Sequence, residues 1–270
     1  MRCFAFLVCL FVAFTAPALA APFQSKAPYA LLVDISDGKT LYEKRGDASM
    51  SPASTTKILT AEVVFSRLAA GQLKLDDTFP ISPHAATEGD AESGGSSMFL
   101  QAVAKVKLED LIQGLLVESG NDAAIAIAEG VAGSERAFAG LMNARARAIG
   151  MSHSSFTNPW GRAGNRVTPR DMVKLAAHVI ATYPQYYKYF GQSEFTWNGI
   201  RQENRNPLLA DGADGLKTGH LAASGFGLVG SATHGGHRLI LVINGCKSEK
   251  ERASEGKRLL EYGFQRVDGG

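Results

Sequence analysis

The chain has 270 residues, a formal net charge of +2, 45% hydrophobic residues and 20% charged ones. That length holds one large domain or two small ones, and the balance is that of an ordinary globular protein. A charge so near zero, with no Lys/Arg cluster, argues against a nucleic-acid partner.

Met1-Arg2 is a short basic start, residues 3–16 are apolar, and Pro17-Ala18-Leu19-Ala20 offers a small-x-small cleavage site. These are the three parts of a secretory signal, and the run is too short for a membrane span of about 20 residues. Cleavage is expected after Ala20, leaving residues 21–270 as one domain exported to the periplasm. Cys3 and Cys9 leave with the signal, so Cys246 stands alone and no intrachain disulfide is expected. It follows the apolar run 239–243 and reads as an inert buried thiol.

Residues 29–35 and 40–44 flank Ser36-Asp37-Gly38-Lys39, and Asp-Gly between two apolar runs predicts a hairpin. From Ile58, the residues Leu59, Ala61, Val63, Val64, Phe65 and Leu68 recur at helical spacing until Gly71. Residues 73–100 read as loop. Leu108, Leu111, Ile112, Leu115 and Leu116 mark a second helix ending near Ser119-Gly120-Asn121. Residues 122–132 and 134–149 continue helically, with Gly150 just past the end. Thr168-Pro169-Arg170-Asp171 has the cap, proline and acidic residue of a helix start, and that helix should reach about Thr182. Residues 226–232 and 238–244 read as strands turning at Gly235-Gly236, and residues 249–262 as a last helix. The layout predicts an α/β (α+β) fold, with a sheet built from both chain ends and a helical subdomain inserted over about residues 70–190.

Three short motifs carry the chemistry. Ser54 and Lys57 form a Ser-x-x-Lys pair at the entrance to the first helix, one turn apart on the same side. A serine hydroxyl is a poor nucleophile until a base takes its proton. A lysine amine does so when burial or a nearby cation keeps it neutral, and a helix N-terminus favours developing negative charge. Ser119-Gly120-Asn121 falls at a helix junction, where side chains can point into a cleft, and Lys217-Thr218-Gly219 suits the start of a sheet edge. Singly these short motifs are common; in this order they are the signature of penicillin-recognising serine enzymes. In that scheme Ser54 attacks a carbonyl while Lys57 takes its proton. Ser119 relays a proton to the leaving nitrogen, and Asn121 holds Lys57 or a substrate carbonyl. Lys217 lowers the pKa of Lys57 and attracts an anion, and Thr218 bonds a terminal carboxylate. The backbone N–H groups of Ser54 and His220 are the expected oxyanion hole.

Over essentially residues 29–264 the chain resembles the serine D-alanyl-D-alanine carboxypeptidases, the low-molecular-mass penicillin-binding proteins. The resemblance rests on residues 54–60, Gly94-Gly95-Ser96-Ser97-Met98-Phe99-Leu100, residues 114–124 and Asp214-Gly215-Leu216-Lys217-Thr218-Gly219-His220. Phe195-Thr196-Trp197-Asn198-Gly199-Ile200 and Asn204-Arg205-Asn206 add to it. It implies a β-lactamase/transpeptidase-like fold, a mainly antiparallel sheet flanked by helices. It also implies removal of the terminal D-alanine from peptidoglycan pentapeptide stems through an acyl-enzyme on Ser54, with β-lactams as inhibitors. Ser54, Lys57 and Ser119 are then catalytic, and Asn121, Lys217, Thr218, Gly219 and His220 contact substrate. Arg205 would meet the terminal carboxylate.

Three departures from the family pattern stand out. Trp160 occupies a position where many relatives carry histidine, so no histidine role carries over. The loop from Arg205 to Lys217 is shorter than usual, and the chain stops at Gly270, where relatives often continue into a β-rich domain and an amphipathic membrane anchor. As it stands the chain is expected to be soluble after export, with membrane association only through such an anchor. One rival reading is a D,D-endopeptidase of the same family, cutting cross-links. Another is a β-lactamase, but Glu194-Phe195-Thr196-Trp197-Asn198 lacks the Leu of the Glu-x-x-Leu-Asn pattern. A non-catalytic wall-binding domain would need a broken nucleophile set. His84, His153, His178, His220, His234 and His237 form no familiar metal-ligand spacing, and no cofactor motif occurs, so neither metal nor cofactor is expected.

Overall fold

The structure is a computed structural model and describes residues 23–88 and 95–269. The expected signal, Cys3, Cys9 and Gly94 lie outside the described residues. The chain opens with the expected hairpin, β1 (Tyr29–Asp34) and β2 (Lys39–Lys44), turning at Asp37-Gly38. A 3-10 turn, Ala53–Thr56, leads into α1 (Lys57–Ala69). Next come β3 (Thr78–Pro80), α2 (Pro83–Glu88), β4 (Lys105–Lys107) and α3 (Leu108–Gln113). The chain continues through a π-helical turn at Gly114–Glu118 into α4 (Asn121–Ala132) and α5 (Glu135–Ile149). After them stand α6 (Pro169–Thr182), α7 (Pro184–Gly191) and a hairpin of β5 (Glu194–Trp197) and β6 (Ile200–Glu203). A 3-10 turn, Pro207–Asp211, precedes β7 (Gly215–Leu221), β8 (Gly225–His234), β9 (His237–Cys246) and α8 (Glu249–Asp268).

The two chain ends build one five-stranded antiparallel sheet, ordered β2-β1-β9-β8-β7. Its residues alternate between two cores, because successive side chains on a strand point to opposite faces. Leu31, Ile240 and Val242 face α1, α6 and α7, whereas Ala30, Leu32, Leu239, Leu241 and Ile243 face α8. Both faces are therefore covered by helices, which is why β9 reads as a continuous apolar run. Helix α1 lies at the centre of the larger core and is buried on nearly all sides. Its buried acid Glu62 is held by Arg145 at 2.5 Å, with His178 and Tyr183 also in reach. Thr168 caps α6 by accepting from the Asp171 N–H, as the sequence predicts. The described residues match the predicted fold class.

Two expectations need correction. Residues 73–100 are not all loop: they contain β3 and α2, and β3 pairs with β4. Elements of three and six residues are too short to show a period. The last helix runs to Asp268 rather than ending at Tyr262. Gly263 does not stop it; it lies so close to Leu32 and Leu239 that a Cβ would come within 2.7 Å of each.

Candidate active site

Four segments converge on one cleft of about 340 Å³. The 3-10 turn before α1 supplies Ser54, reached through Ala53 at φ 48°, a conformation rarely adopted by residues other than glycine. The end of the π-helical turn supplies Ser119 at φ 72°, and Asn121 opens α4. The edge strand β7 supplies Thr218, Gly219 and His220 along one wall, and Arg205 enters from the segment after β6. Gly219 sets how near β7 comes to the serine turn. A Cβ there would stand 2.8 Å from the Pro52 carbonyl and 3.1 Å from the Thr55 nitrogen. Seven of the nine residues expected from the sequence line the cleft, namely Ser54, Ser119, Asn121, Arg205, Thr218, Gly219 and His220. The other two, Lys57 and Lys217, are almost wholly buried.

The Lys57 amine lies 3.1 Å from Ser54 Oγ, 2.7 Å from Asn121 Oδ1 and 3.0 Å from the Trp160 carbonyl oxygen. The two oxygens that face it, Asn121 Oδ1 and the Trp160 carbonyl, can only accept. A neutral amine has two N–H groups and one lone pair. If it donates to those two oxygens, the lone pair is left for the Ser54 hydroxyl. Electrostatics favour that state: burial first, then the charges of Lys217 and Arg205, hold Lys57 well below the ordinary lysine pKa. Lys217 is itself brought down to about 7, by burial and then by repulsion from Arg205 and Arg252. Among the described residues it makes one long hydrogen bond, 3.4 Å to the Thr218 carbonyl. Arg205 donates to Ser96 Oγ at 2.7 Å and pairs with Glu118, whose own pKa is raised mainly by burial. The cleft thus joins a serine, a lysine suited to act as its base, and a wall of cations.

The family sequence profile described as D-alanyl-D-alanine carboxypeptidase matches residues 15–248. This chain belongs to that family. It is 42% identical over 241 residues to the D-alanyl-D-alanine carboxypeptidase DacC of Escherichia coli (strain K12), which covers 87% of this chain and 60% of DacC. The chain thus spans about three fifths of the length of that curated relative. The crystal structure of penicillin binding protein 5 from Haemophilus influenzae superposes with a TM-score of 0.87 at 37% identity, covering 91% of this chain and 73% of that one. A mutant of the Streptomyces K15 DD-transpeptidase gives 0.82 at 29% identity, covering 90% of this chain and all of that one. The β-lactamase/transpeptidase-like fold is shared with these structures.

Several residues of this carboxypeptidase-family site escape a motif search. Trp160 contributes its backbone carbonyl, so the Lys57 contact survives the departure from histidine. That carbonyl is positioned by a loop in which Asn158 Oδ1 accepts from the Gly161 and Arg162 N–H groups. Asn165 ties the same loop to Thr56, just before α1, at 3.1 Å. Gly161, at φ +100°, leaves no room for a side chain: a Cβ would come within 2.0 Å of the Ala53 oxygen. Asp122, fully buried beside Asn121, accepts from Ser97 Oγ and the Met98, Leu100 and Ala123 N–H groups, fixing the segment that carries Ser96. Arg252 of α8 also lines the cleft, and its Nε finds no partner among the described residues. An acid directly after the Ser-x-Asn motif was a usable signal for Asp122; the Trp160 carbonyl and Arg252 gave none.

Proposed function

We propose that this chain carries the catalytic centre of a serine D,D-carboxypeptidase that releases the terminal D-alanine of peptidoglycan pentapeptide stems. The observation that carries the reading is the Lys57 amine, 3.1 Å from Ser54 Oγ with its other two partners both acceptors. As Ser54 Oγ attacks the penultimate D-alanine carbonyl, Lys57 takes the hydroxyl proton. The carbonyl oxygen becomes an oxyanion facing the backbone N–H groups of Ser54 and His220. The C–N bond breaks as the leaving amine takes a proton through Ser119, giving D-alanine and an ester on Ser54. Water then hydrolyses the ester. A β-lactam enters by the same attack, but its leaving nitrogen stays tethered to the acyl group and remains in the site. Lys217, Thr218 and Arg205 are the groups for the free carboxylate, which both ligands carry.

The sequence also supports export, with residues 1–20 as a cleaved signal and a periplasmic site of action. No helix among the described residues is long and apolar enough to cross a membrane. N-terminal sequencing of protein secreted by a bacterial host should begin at Ala21, and retention of Met1 would oppose it.

The reaction is tested by giving purified protein either monomeric pentapeptide or a cross-linked dimer and following products by mass. Free D-alanine from the monomer supports the carboxypeptidase. Cleavage of the dimer with the pentapeptide left intact would assign the site to an endopeptidase.

A further inference from the structure

A second cavity, of about 460 Å³, adjoins the cleft, and Leu221 at the end of β7 lines both. No part of the catalytic scheme uses it. Its walls come from the loop 163–166, the β7–β8 turn, and the segments beside Tyr29 and Asn244. Two of its polar groups lack partners. The Ser224 hydroxyl is shielded from solvent with no hydrogen-bond partner among the described residues. The exposed Arg166 side chain takes part in no ion pair or side-chain hydrogen bond described there, although its backbone pairs with Ser155.

The position of this cavity follows from the edge strand. Among the described residues β7 pairs only with β8, which leaves its other edge without a strand partner there and open to an extended peptide. Gly219 lies against the serine turn, and Thr218, one residue earlier, is the proposed carboxylate partner. Leu221, two residues beyond Gly219, leads away from the carboxylate end. An extended peptide rises about 3.3 Å per residue, so two or three residues upstream of the scissile bond reach past the strand end. We propose that this cavity is a subsite for the upstream part of an acidic stem peptide, with Arg166 taking a carboxylate. The inference rests on the carboxypeptidase reading and extends it from the cleaved bond to the rest of the substrate.

The test compares three substrates: a short N-acylated D-Ala-D-Ala, a longer stem with free upstream carboxylates, and the same stem with those carboxylates amidated. Because Arg166 is exposed, Arg166→Gln should narrow the acid-to-amide ratio of kcat/KM by about 5-fold at most. Ala223→Trp, at an exposed position on the cavity wall, should lower the ratio of long to short substrates. Unchanged ratios in both variants would overturn the subsite. A separate NMR titration uses an acidic stem tripeptide lacking D-Ala-D-Ala, which reads the cavity without the reaction. Shifts at Ser224 and Arg166 that vanish in Ala223→Trp support the subsite even if no D-alanine is released in the kinetic assay. Their absence counts against it even if D-alanine is released.

Discussion

Asn121→Ala isolates the geometry that prepares Lys57. Asn121 is nearly buried, and its 2.7 Å contact with Lys57 is the only side-chain hydrogen bond it makes among the described residues. Without it, the amine keeps the Trp160 carbonyl and turns its second N–H towards Ser54, so the lone pair no longer meets the hydroxyl. A buried polar group left without its partner loses about 1–3 kcal/mol, and since 1.4 kcal/mol is tenfold in rate, acylation should slow by about 5- to 150-fold. The assay is the second-order rate of acylation by a fluorescent penicillin from pH 5 to 10, with denaturant unfolding as a control on the fold. Asn121→Asp sharpens the test, because it keeps an oxygen on Lys57 but adds a negative charge that favours the protonated amine. The acid limb of its pH profile should move to higher pH. Acylation within twofold of wild type in Asn121→Ala, together with an unmoved acid limb in Asn121→Asp, would refute the lone-pair assignment.

Other expectations follow from the same contacts. Lys217, brought down to about 7, loses its charge as pH rises through that value, so kcat/KM for an anionic substrate should fall on the alkaline side. Arg205→Gln removes one of the charges repelling it and should move that limb upward; a fixed limb would deny the coupling. An anionic ligand that restores the Lys217 charge should take up a proton at pH 8 and almost none at pH 6, as read by calorimetry in buffers of different ionisation enthalpy. Trp160→His should acylate within about threefold of wild type, because the backbone carbonyl persists. Gly161→Ala, whose Cβ would meet the Ala53 oxygen at 2.0 Å, should lose acylation or about 3 kcal/mol of stability. Arg145→Met leaves the buried Glu62 carboxylate without its main partner and should cost about 3–5 kcal/mol in denaturant unfolding. Penicillin labelling of the remaining folded Arg145→Met protein should be unaffected.

What was legible in the sequence was local or patterned. The hairpin at Asp37-Gly38, the α6 cap at Thr168 and the period of α1 each declare themselves within a few residues. The paired ends of the sheet follow from the strands near residues 30 and 240. β3 and α2 did not show, because three- and six-residue elements lack a period. In the site, the motif side chains were legible because their order is distinctive. The Trp160 carbonyl was not, since backbone atoms have no sequence signature and any residue supplies one. Nor was the burial of Lys217, which depends on β7 packing against the serine turn. Arg252 reaches the cleft only because α8 folds back across the sheet.

The most direct test of Ser54 as the nucleophile is mass spectrometry of a proteolytic digest after exposure to benzylpenicillin. The mass of one drug molecule should appear on the peptide carrying Ser54 in the wild-type protein. It should be absent from Ser54→Ala, and absent or greatly slowed in Lys57→Ala. An adduct on Ser119, or full-rate labelling of Ser54 in Lys57→Ala, would contradict the roles assigned to this pair.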